Sequence, residues 1–295
     1  MEFFKGIIIS IFTLVTILCF GKVANAQEIS DSLLHELKDA NSEDSLVIIE
    51  QLFHALPEDS LDLNQALCKR AIDIAHVLSD FDNKATFQNL NGICLARQNK
   101  YQEADLNYHH SLNTSYLVED PNLIGQALYS IGNNHIILGN YDSAMYFLDS
   151  ANTLLDEINK GHLLHYLIND RIGTCLKFKA EYYKALAYYN KILEKALYRD
   201  SMTKAITLKN ISSVYIRLDE YSKALEIQFD ALEIYKSIAS KIDMSILLNE
   251  IGITYKRLNH LDKALEYFEQ SLQLKLDLNN LVGVSASYLN IGSIH

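Results

Sequence analysis

The stretch ILLNEIGITYKRLNHLDKALEYFEQSLQL, Ile246 to Leu274, decides the fold. Its apolar residues recur at helical spacing in two successive runs, as in a pair of amphipathic helices. Gly252 lies where those helices would touch. Ala264, twelve positions later, stands at the same contact on the second helix. Such a pair cannot bury its apolar face alone and must stack on neighbours.

The same register runs outward in both directions. Gly92, Gly132, Gly173, Ser212, Gly252 and Gly292 follow one another at intervals of 40, 41, 39, 40 and 40 residues. Twelve residues after the first five come Ala104, Ala144, Ala185, Ala224 and Ala264. Three before each alanine stands Tyr101, Tyr141, Tyr182, Tyr221 or Leu261. Small contact residues let crossing helices approach closely. Glycine inside a helix costs about 1 kcal/mol relative to alanine, so its recurrence at one slot demands a packing reason.

The pattern resembles the tetratricopeptide repeat in its roughly 40-residue variety. Ile251-Gly252, Tyr255, Ala264 and Phe268 match that family's helix A and helix B signatures, as do Ile131-Gly132, Gly139, Tyr141 and Ala144. The fourth unit departs by placing Ser212 at the glycine slot. The resemblance implies an all-α fold, a right-handed α-solenoid of stacked antiparallel helix pairs. Repeats are expected at 85–123, 124–164, 165–205, 206–245 and 246–285. A degenerate first helix pair precedes them at 45–84, after a polar lead-in at 27–44. Residues 286–295 restart the motif as a partial sixth repeat that reads as truncated.

Composition agrees with this reading. Only Pro57 and Pro121 interrupt a chain of 295 residues, which leaves room for many long helices. Residues 1–26 form a separate segment: Lys5, an apolar run from Gly6 to Phe20, then Ala24-Asn25-Ala26. That is the layout of a secretory signal peptide, cleaved after Ala26. The run is shorter than the ~20 residues a membrane span needs. The expectation is therefore an exported protein, periplasmic or secreted, without membrane insertion after cleavage. The formal net charge of −11 argues against sequence-independent nucleic-acid binding, which needs a basic surface. Beyond the leader lie Cys68, Cys94 and Cys175, an odd number that cannot fully pair within one chain. Adjacent helices could bring Cys68 and Cys94 together.

Nothing nominates an enzyme. There is no phosphate-binding glycine loop, HExxH or nucleophile elbow. His109-His110 point to different sides of a helix, and His135 occupies the slot held by Tyr215 and Tyr255 in other units. No metal site or cofactor is expected.

By resemblance, helix A lines a concave groove, with exposed positions three before, one after, and four or five after the packing glycine. These include Tyr129, Asn133, Asp170, Lys177, Lys209, Arg217, Asn249, Lys256 and Arg257. The five cations form a basic cluster able to hold a peptide carboxylate or another anion. A plainer reading remains beside it: cations in a helix's last turn are favoured by the helix dipole, by roughly 0.3–1 kcal/mol. The function expected is a non-catalytic scaffold binding a peptide or protein segment in the groove. The alternative is the sensory repeat region of a truncated membrane signalling protein, a histidine kinase or transcription regulator.

Overall fold

A computed structural model describes residues 23–57, 60–158, 163–196 and 201–294. The expected leader lies outside the described residues up to position 22. From Val23 onward the described chain is helical, with fourteen helices and no strand among the described residues.

The chain divides into two compact units between Leu138 and Gly139. This boundary falls inside the repeat expected at 124–164, between its two helices. The first unit holds α1 (Val23–Asp39), α2 (Ser42–Ala55), α3 (Leu61–Val77), α4 (Phe81–Arg97), α5 (Tyr101–Val118) and α6 (Pro121–Ile137). The second holds α7 (Tyr141–Ile158), α8 (Leu163–Phe178), α9 (Tyr182–Ala196), α10 (Ser201–Arg217), α11 (Tyr221–Ser237), α12 (Lys241–Arg257), α13 (Leu261–Asp277) and α14 (Leu281–Gly292). Within each unit every helix packs on the next. Contacts between α4 and α6, and between α8 and α10, join helices one pair apart. Each unit is thus a stack of antiparallel helix pairs.

Short turns impose the antiparallel arrangement. Between α4 and α5 the chain has only Gln98, Asn99 and Lys100, and Asn99 is left-handed at φ 62°. The Lys100 amide donates to the Leu95 carbonyl and the Asn99 amide to Ala96. These bonds satisfy carbonyls that the helix end leaves open. The device recurs at Asn259, Asn279, Asp219, Ala180 and Ala239, all at positive φ. Following helices start on side-chain caps where the sequence supplies one. Asp80 accepts from the Asn83 amide, and Asp120 from Asn122 and Leu123 with Pro121 at the first helical position. Such caps contribute roughly 1 kcal/mol each.

The small slots sit in the interior. Gly92, Gly132, Gly173, Ser212 and Gly252 are buried, and Ala104, Ala144, Ala185, Ala224 and Ala264 have no exposed surface. Beside Gly92, Gly173 and Gly252 the space is filled by an aromatic ring sixteen residues on. A β-carbon at Gly92 would lie 2.4 Å from the Tyr108 ring, at Gly173 2.7 Å from Tyr189, and at Gly252 2.6 Å from Phe268. In the repeat that carries Ser212 the sixteenth residue is Gln228, fully buried with neither amide atom hydrogen-bonded. Gly292 is exposed, with no atom within 4 Å of its would-be β-carbon. Tyr101 and Tyr221 open their helices and donate their hydroxyls to Asn99 and Asp219 in the turns just before them.

The first unit has a core cluster built around Leu46, Ile49, Leu52, Leu67, Ala71 and Phe87. The second has one around Leu232, Tyr235, Leu247, Leu248 and Ile251. Among the described residues no helix is long and apolar enough to cross a membrane.

Candidate functional site

The polar residues expected to line a groove divide between the two units. Tyr129 and Asn133 lie on α6 in the first unit, both half-buried. The remaining seven lie on α8, α10 and α12 in the second unit. There Asp170, Lys177, Asn249 and Lys256 are tied by side-chain bonds to neighbouring helices, while Arg217 and Arg257 are exposed.

Two kinds of side-chain bond join first helices of successive pairs, α8 to α10 and again α12 to α14. The Asn210 amide donates to the Asp170 carboxylate at 2.6 Å, and one repeat-pair on, the Asn290 amide donates to Asn249 at 2.8 Å. The Lys177 ammonium donates to the Ser213 hydroxyl at 3.2 Å, and Lys256 repeats this with Ser293 at 2.6 Å. Lysine four residues past one packing slot thus reaches the serine one past the next. The acid or amide three before one slot meets the amide two before the next. Both kinds arise because equivalent positions on stacked helices lie side by side.

Asp170 is a correction to the exposed position expected for it: it is buried, at 9% exposure. Burial raises its carboxyl above the usual range, while Arg171, the Asn210 bond, Lys177 and Lys209 pull it back. Glu250 behaves alike, raised by burial and lowered by Lys209 and Lys177. Burial also depresses the Lys177 ammonium, against the pull of Asp170 and Glu250. The basic cluster is therefore interleaved with carboxylates. Lys177, Arg217, Lys256 and Arg257 stand in last turns, where the helix dipole favours them.

Beside this network is a concavity of about 480 Å³. Ile216 and Ile253 supply apolar surface. Arg217 and Arg257 supply guanidinium groups, Asp219 and Glu250 carboxylates, and Tyr182 and Tyr221 rings. Mixed apolar walls with a few placed polar groups are the usual makeup of a ligand pocket. Sequence reasoning omitted Glu250, Asn210 and Asp219. Their signal was the repeat itself: Asn210, Glu250 and Asn290 each stand two before a packing slot.

His109 lies 3.6 Å from the Asp105 carboxylate one turn away on α5, and His135 of α6 lies 3.8 Å from it. Asp105 also accepts from the Asn134 amide at 3.1 Å. The His135 and Asn134 contacts join α5 to α6. Among the described residues no group of three or more His, Cys, Asp or Glu is arranged to hold a metal ion.

The tetratricopeptide repeat family profile matches residues 205–277, which run from α10 to α13. No curated protein matches the chain. Solved structures match the fold over nearly its whole length. The apo form of RapI aligns with a TM-score of 0.69 at 15% identity, covering 91% of this chain and 97% of that one. The apo form of the quorum sensor NprR from B. thuringiensis aligns with a TM-score of 0.67 at 16% identity, covering 96% and 80%. NprR in complex with its cognate peptide NprX aligns with a TM-score of 0.62 at 17% identity, covering 92% and 84%. At these identities the likeness shows a shared fold, all-α and built of stacked helix pairs.

Proposed function

We propose that the chain is a non-catalytic interaction scaffold that binds a peptide or protein segment on the face built by α10 and α12. The observation that carries this reading is the concavity lined from those two helices, with Tyr182 of α9 and Tyr221 of α11. Its two isoleucines offer apolar contact, and Arg217 and Arg257 recur at one repeat position to meet successive acceptors along an extended segment. The neighbouring Asp219 and Glu250 favour a ligand of mixed charge over a polyanion. The likeness to NprR, solved with a peptide, supports the same reading.

The test is selection of random displayed peptides on the full chain, followed by affinity measurement on charge-reversed variants. Arg217→Glu with Arg257→Glu is expected to weaken enriched peptides at least about tenfold, the range for truncating paired charges in an interface. Lys209→Glu, which acts through Asp170 and Glu250, should have a smaller effect. Absence of enrichment, or affinities unmoved by both reversals, would overturn the proposal.

A second reading is a sensory repeat region of a signalling protein exported by the residue 1–26 leader. The likeness to a quorum sensor favours it. Sequencing the reading frame past His295 separates the two: an apolar span followed by an effector domain supports the sensor. A closing helix and a stop codon support the free scaffold.

A further inference from the structure

The geometry points to a redox-active pair in the first unit: Cys68 on α3 and Cys94 on α4 are placed to form an intrachain disulfide that fastens the two helices. Both side chains are buried, at 0% and 1% exposure, and both are free thiols. Independent contacts fix the register of the two helices. Gln98, just past the end of α4, donates to Asp62 at 3.2 Å and to Gln65 at 3.5 Å, both in the first turns of α3. In antiparallel helices each step back along α4 moves one step forward along α3. That register carries Cys94 to the level of Cys68, and both side chains are turned into the interior. Two cysteines at one level on packed helices meet the first demand of a disulfide, which tolerates little backbone movement.

Arg97 stands three residues on from Cys94 on the same helix, and a neighbouring cation favours the thiolate, which is the reacting form. Cys94 is therefore the first nucleophile. With a small-molecule disulfide such as oxidised glutathione as oxidant, the Cys94 thiolate attacks one sulfur and expels one glutathione thiolate. Cys68, losing its proton, then attacks the Cys94 sulfur of the mixed disulfide and expels the second. Two protein thiols become one disulfide, two glutathione thiols form, and the two protons end on them. Cys175 is the internal control. It occupies the same repeat position as Cys94 and is fully buried, but burial alone dominates its thiol, pushing it up to about 12.

Full-length reduced chain is incubated in a glutathione redox buffer, with urea below the unfolding transition to open the buried pair. It is then acid-quenched, alkylated and mapped by non-reducing mass spectrometry. The expected result is a dominant Cys68–Cys94 cross-linked peptide with Cys175 alkylated, and a urea midpoint above that of the reduced chain. Dithiothreitol should reverse both, and the Cys68→Ala variant should show neither. The proposal is overturned if Cys68 and Cys94 both remain alkylated, or if cross-links are shared without preference among Cys19, Cys68, Cys94 and Cys175.

Discussion

A β-carbon on Gly252 would stand 2.6 Å from the ring of Phe268 and 3.2 Å from the Ala264 carbonyl oxygen. Phe268 is itself buried, at 1% exposure, so the ring has little room to retreat. Gly252→Ala would gain helix propensity worth about 1 kcal/mol and lose more to overpacking, typically 1–3 kcal/mol. Urea unfolding should show net destabilisation. Gly292→Ala, where no atom lies within 4 Å, should be neutral or mildly stabilising. Equal behaviour of the two variants would refute the ring as the cause.

The serine-containing repeat offers a double-mutant cycle. Gln228 occupies the place that Tyr108, Tyr189 and Phe268 hold in other repeats, opposite Ser212 instead of glycine. Gln228→Phe alone should clash with Ser212, and Ser212→Gly alone should leave a gap beside an amide that has no hydrogen-bond partner. Together they restore the glycine–ring pair. The double variant is expected to be at least as stable as the wild type, with a favourable coupling on the order of 1 kcal/mol or more. Additive single effects would mean the two positions do not touch.

Ala239 holds a left-handed backbone at φ 54° while its amide and that of Ser240 close the end of α11. A β-carbon there is strained by roughly 1–2 kcal/mol. Glycine relieves that strain but adds freedom to the unfolded chain, worth about 0.4–1 kcal/mol. Ala239→Gly should therefore raise the unfolding midpoint modestly. A lowered midpoint would show that the alanine is relaxed in place.

Glu250 gives a pH test with a definite sign. Burial holds its folded-state carboxyl above the ordinary value, and Lys209 and Lys177 offset this only in part. A raised carboxyl contributes stability below its unfolded value and loses it as pH rises through the folded one. Glu250→Gln should thus become more stable relative to the wild type as pH climbs above the usual glutamate range. Unfolding curves at a series of pH values from acid to neutral would read this. A difference shrinking with rising pH would contradict it.

The helical class and the stacked-pair architecture were legible in the sequence, because a small residue every 40 positions has few other physical explanations. The neighbour of that small residue was harder to read. Ala264 and Phe268 lie one turn apart on the same helix face, and spacing cannot say which of them meets Gly252. The candidate site was legible only in part. Arg217 and Arg257 stand out as charges at one repeat position. Glu250 and Asn210 lie two before the slot and matter only through partners on the adjoining helix. Repeat position therefore finds the cations and Asp170 but misses Glu250, set among them. Likewise, Lys177 and Lys256 look free in sequence, although their partners Ser213 and Ser293 belong to the next repeat.

Those two lysine–serine bonds give the face proposed for binding a mechanical character. Each ammonium spans from one repeat to the next, so a guest that draws it away also cuts a tether between neighbouring helices. Occupancy and rigidity then oppose each other. An empty face would be the stiffer spring, and a guest that engaged Lys177 or Lys256 would make the stack more compliant where it sat.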